Sequence, residues 1–214
     1  MIARSLTLSF ACLCAIAQAD PGGAHMVVGW PGGAAAVVSY DFDDPVGEVS
    51  AEGAIHFELP VPPASRQTVA DTFDRCPTGK LDIENGAAPV TPVMLLVELG
   101  GRELSLAAAS SPDMAAWTLS FGQAPLVKGS FLRWLHVDGA ASVSGECVET
   151  LLTDAGDLET RTEWRLELAP GWNLIRTTYL DYAELEDGRR QETHTVHDAV
   201  VALPEDARWY LEQD

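Results

Sequence analysis

From Arg161 to Leu168 the chain alternates strictly, with Trp164, Leu166 and Leu168 on one parity and Arg161, Glu163, Arg165 and Glu167 on the other. A helix would scatter those apolar residues around its circumference, whereas a strand gathers them on one face. The segment is therefore predicted to be a half-buried strand. Ala54 to Leu59 repeats the pattern, Ile55, Phe57 and Leu59 opposing His56 and Glu58. After Pro170-Gly171, the run Trp172 to Tyr179 is rich in aromatic and β-branched residues. It is predicted to pair back on 161–168 as a hairpin whose exposed charges guard a sheet edge. Val93 to Leu99 is apolar on both parities, which predicts a strand covered on both sides, near the centre of the fold.

Turn signals separate these runs at short intervals, among them Asp44-Pro45, Asn85-Gly86, Gly100-Gly101, Asp138-Gly139 and Asp187-Gly188. Short strands so punctuated predict an all-β protein, mainly an antiparallel β-sandwich of one or two closely docked lobes. One or two short helices are expected. The first runs from Ala64 to Phe73 after Pro62-Pro63, with Val69 and Phe73 on one face. The second follows Pro204, where Glu205 and Asp206 suit a first turn and Trp209 packs back. Pro60-Val61-Pro62-Pro63 is the strongest linker-like segment and divides residues 20–60, an N-terminal β unit, from 61–214, the main β region. Forty residues bury too little surface to fold alone, so the two are expected to pack as one body.

Residues 1–19 carry Arg4, then the apolar run Leu6 to Ala17, then Ala17-Gln18-Ala19. That is the charged, apolar and small-residue order of a secretory signal peptide, too short to span a bilayer. Ser9-Phe10-Ala11 before Cys12 fits a lipid-attachment site poorly. Cleavage after Ala19 leaves 195 residues, a net charge of -20, and Cys76 and Cys147 as the cysteines. In an oxidising compartment an even pair with no third thiol reads as one disulfide; two buried free thiols and a reactive cysteine are weaker alternatives. The expected location is secreted or periplasmic, within the cell envelope. No later stretch is long and apolar enough to insert as a membrane helix.

With 32 Asp and Glu against 13 Lys and Arg, the chain repels phosphate backbones, which disfavours nucleic acid. His194, His197 and Asp198 form the densest group of potential zinc ligands. On a strand, however, His194 and Asp198 share one face and His197 takes the other. Asp41-Phe42-Asp43-Asp44 and Asp154 to Glu159 offer carboxylates for calcium, but neither follows the EF-hand order. Zinc or calcium thus remains a minor reading beside no cofactor. No G-x-S-x-G, H-E-x-x-H, phosphate loop or G-x-G-x-x-G is present. Of six tryptophans, Trp134 and Trp164 fall in apolar positions, which leaves Trp30 and Trp209 as candidate exposed rings for sugar or peptide stacking.

Gly29-Trp30-Pro31-Gly32-Gly33 near the start and Pro170-Gly171-Trp172-Asn173 near the end resemble segments of uncharacterised secreted bacterial β-sandwich proteins. Ser50 to Leu59 is similar to strands of transthyretin-like or carboxypeptidase-regulatory-like modules, with Phe57 at the aromatic position and Glu52 where an Asp is usual. The resemblance implies a structural or adhesive role and carries over no catalytic residue. The favoured expectation is an exported, non-enzymatic binding or structural module whose partner is an envelope protein or polysaccharide. The alternatives are a metal-dependent or hydrolytic secreted enzyme and a carbohydrate-binding module.

Overall fold

In the computed structural model, which describes residues 25–76, 81–154 and 156–212, alternating apolar positions roll seven strands into a closed ring. The signal-type segment 1–19 lies outside the described residues. In chain order the elements are β1 (His25–Val28), β2 (Ala35–Val38), β3 (Gly47–Val49), β4 (Ala54–Phe57), α1 (Val69–Phe73), β5 (Asp82–Glu84), β6 (Val90–Val93), β7 (Leu95–Leu99), β8 (Arg102–Ala109), α2 (Pro112–Leu119), β9 (Gly129–Val137), β10 (Ala141–Thr153), β11 (Gly156–Leu168), β12 (Gly171–Glu184), β13 (Arg190–Val200) and β14 (Arg208–Leu211). Strand accounts for 55% of the residues and helix for 7%, so the class is all-β.

The architecture is a barrel with an outer sheet, not the sandwich the sequence predicts. The ring runs β14–β1–β4–β3–β2–β7–β8 and shuts where Arg208–Leu211 pair with Leu106–Ala109. Closure depends on the segment after Pro204. It forms no helix but a turn and then β14, which pairs parallel with β1 and antiparallel with β8. A sandwich would leave the edges of β1 and β8 unpaired, and closure removes both. Val37, Val49, Ile55, Phe57, Val97 and Trp209 fill the interior. Gly47 lies opposite Phe57, and a Cβ there would stand 2.2 Å from the His56 carbonyl oxygen, so only glycine lets β3 approach β4 this closely.

From β8 the sheet continues through β9, β12, β13, β11, β10 and β5. The predicted 161–168/172–179 hairpin does not form: β13 lies between β11 and β12, parallel to β11 and antiparallel to β12. The Asn173 side chain explains how so short a link passes the end of β13. Its amide accepts from Ala169 N and donates to the Ala169 and Gly171 carbonyls, serving the crossover as a neighbouring backbone would. One sheet face, with Val137, Val143, Leu166 and Ile175, packs against Val69 and Phe73 of α1. The helix is shorter than predicted because Thr68 caps it with Asp71, while Gln67 and Val69 bond to Val90 and Ala88. Cys76 and Cys147 are joined in a disulfide that fastens this cover to β10. The second helix falls instead at 112–119, capped by Ser111 with Pro112 at its first turn.

The apolar run Val93–Leu99 is not one straight strand. It bends at Met94, so that β6 pairs with β9 of the outer sheet and β7 with β8 and β2 of the barrel. Both parities are buried because the run passes from one layer into the other.

Candidate functional site

That bend opens a cavity. Strand β9 pairs with β8 over only two residues, Leu132 with Ala108 and Phe131 with Ala109. Beyond them the strands part: β7 takes the edge of β8 from Leu106, and β6 takes the edge of β9 from Trp134. The fork encloses a cavity of about 570 Å³, bounded by the Pro92–Leu95 corner, Ser105–Ala108 of β8 and Phe131–Trp134 of β9. Its volume falls in the range of roughly 300–1,000 Å³ usual for small-molecule sites. Leu174, Leu203 and Trp209 line it, as do Trp117 and Leu119 from the end of α2. The walls are predominantly apolar, with Asp41 and Arg133 as the charged residues among them.

Three large side chains at this cavity face solvent: Tyr40 at 72%, Phe121 at 76% and Met94 at 40% exposure. Phe121 is held there at a conformational cost. Helix α2 ends in paired reverse bonds, Gly122 N donating to the Trp117 carbonyl and Phe121 N to the Thr118 carbonyl. That closure needs a left-handed residue, a position glycine usually fills, yet Phe121 occupies it at φ 53°. Such strain concentrates where a side chain has a task besides stability.

Two polar groups of the cavity lack protein partners. Trp209 is 4% exposed, and its indole Nε1 has no hydrogen-bond partner among the described residues. Arg133 makes no ion pair or hydrogen bond with any described residue, and its guanidinium lies over the Phe131 ring, 5.6 Å from the centroid. It is solvent-accessible, yet enough protein surrounds it that burial lowers its pKa.

The strip beside Arg133 is polar and buried. Thr177 is 1% exposed, with Oγ1 3.0 Å from His197 Nδ1, and the imidazole stacks on Trp164. Burial first, and then Arg133, brings the His197 pKa down to about 4. Burial also raises the Tyr179 hydroxyl to about 12, with Glu192 adding to the shift. Both side chains are thus uncharged at neutral pH.

The depressed His197 value sets a direction for acid sensitivity. Between the unfolded value of 6.5 and about 4 the unfolded chain holds more protons at this site than the native one. The stability from a neutral His197 is complete above 6.5 and is lost as pH falls towards 4, by about 3 kcal/mol in all. His197→Gln, which still offers Thr177 a hydrogen-bonding partner but does not titrate, is expected to flatten this part of the profile. Urea midpoints measured between about pH 7 and about pH 5 check it; parallel losses in both proteins would remove His197 as the cause.

The sequence-level candidates fall elsewhere. His194 and Asp198 lie on one face of β13 and His197 on the other, so the three do not converge. His194 Nε2 is 2.9 Å from Glu163 Oε1, and Arg165 reaches both Glu163 and Asp198. His194 and then Arg165 hold the Glu163 carboxyl below the usual carboxylate range. Among the described residues no group of three or more His, Cys, Asp or Glu is placed to hold a metal ion. Asp154 and Asp157 flank the β10–β11 turn, and Asp41 is bonded to Ser39. Trp30 is half-buried with Nε1 on the Gly33 carbonyl, and Trp209 is inside the barrel. None of the six indoles is exposed.

The sequence reading missed Arg133 and Phe121. Arg133 was legible as the one charge within Phe131-Leu132-Arg133-Trp134-Leu135, and Phe121 as an aromatic directly before Gly122. No protein-family model, no curated protein and no solved structure matches this chain.

Proposed function

We propose that this chain is an exported binding module that holds a small, largely apolar ligand in the cavity at the strand fork, and that it acts without catalysis. The observation that carries the reading is the cavity itself: an apolar space within the core, left open by the Met94 bend and rimmed by exposed Tyr40, Met94 and Phe121. A small ligand is favoured over a polysaccharide because no exposed indole offers a sugar platform. The signal-like order of residues 1–19 supports export, and the Cys76–Cys147 bond agrees with an oxidising compartment such as the periplasm or the extracellular medium. Among the described residues, no helix is long and apolar enough to cross a membrane.

Titration with the neutral fluorophore N-phenylnaphthylamine tests the reading. Saturable binding to the wild-type chain is expected, with fluorescence enhanced as the dye leaves water. Phe121→Gly should weaken it several-fold without lowering the melting temperature, because glycine accepts the left-handed conformation that phenylalanine endures. No saturable binding to the folded wild type would overturn the proposal.

A further inference from the structure

Resting on that reading, the arginine on the cavity wall specifies the charge of the ligand. We propose that the cavity takes an anionic amphiphile: an acyl chain whose carboxylate meets Arg133. In a chain with 32 acidic residues, an arginine on a cavity wall with no carboxylate partner among the described residues is the informative observation. Most other described cations are paired: Lys128 with Asp181, Arg165 with Glu163, Arg176 with Asp206, and Arg190 with Glu184. Stacking on Phe131 orients the guanidinium without consuming its donors. Its titratable neighbours Tyr179 and His197 are neutral at pH 7, and Asp41, the other charged residue of the cavity wall, makes no ion pair with it. Leu132 and Trp134 point to the barrel core and Phe131 to the core under α2, with Arg133 on the Phe131 side.

Displacement of N-phenylnaphthylamine from the full chain separates this inference from the reading beneath it. The competitors are dodecanol, dodecylamine and dodecanoate, each below its micellar concentration. Dodecanoate is expected to bind at least about tenfold more tightly than dodecanol, as a charge-assisted contact implies. Arg133→Gln should abolish that preference while still binding dodecanol, and Arg133→Lys should restore part of it. Equal affinity for dodecanol and dodecanoate, a preference for dodecylamine, or an unchanged Arg133→Gln would overturn the carboxylate assignment while leaving the apolar-ligand reading intact. If the dye itself does not bind, the reading beneath falls as well.

Discussion

Phe57→Ala is expected to lower the unfolding free energy by about 3–5 kcal/mol, the usual range for truncating a buried phenylalanine. Phe57 is 2% exposed and sits between two indoles in edge-to-face contact, its centroid 5.9 Å from Trp134 and 5.6 Å from Trp209. Through this trio β4 of the ring, β9 of the outer sheet and β14 at the closure share one packing unit. The loss should fall at the upper end of that range, because each aromatic pair adds roughly 0.5–1.5 kcal/mol beyond buried area. Trp134 and Trp209 also line the ligand cavity. The variant should therefore change dye affinity as well as stability. Urea unfolding with a fitted slope checks the first effect, and a loss under about 1 kcal/mol would contradict the interior packing described above.

Removing the disulfide should produce an effect of similar size by another route. Cys76 and Cys147 are 71 residues apart, with Cα atoms separated by 5.5 Å. A loop of that length stabilises by about 4 kcal/mol in the chain-entropy model, since opening it returns freedom to the unfolded chain. Cys76→Ala/Cys147→Ala should therefore melt on the order of 10 °C lower, at roughly 2–4 °C per kcal/mol for a chain of this size. Reductant should lower the wild-type melting temperature by a like amount and leave the double variant unaffected. A shift of only a degree or two in both experiments would show that α1 holds its place over the sheet without the bond.

Much of the β character could be read from the chain. The parity of Trp164, Leu166 and Leu168 gives the buried face of β11 correctly, and Ile55 and Phe57 that of β4. Pairing order was harder, because alternation fixes which side of a strand is buried and not which strand lies beside it. Hence β13 between β11 and β12 was not foreseen; the clue was Asn173, a polar residue at a buried position, 8% exposed, whose amide serves the crossover. The barrel was missed for the same reason, since closure depends on β14 meeting both β1 and β8. Helix α2 did carry local signals in Ser111, Pro112 and Asp113, hidden by the short apolar residues around them. The cavity was the least legible feature, because it lies where three strands diverge and no single segment encodes it.

The parallel pairing of Val27–Val28 with Trp209–Tyr210 joins the first described strand to the last. During synthesis that contact is unavailable until residues 208–211 have emerged. Until then β1 and β8 each present an open edge, ready to recruit a strand from another molecule. Ring closure is thus a late, long-range event, and a chain whose β14 has not yet paired carries both edges open to another molecule.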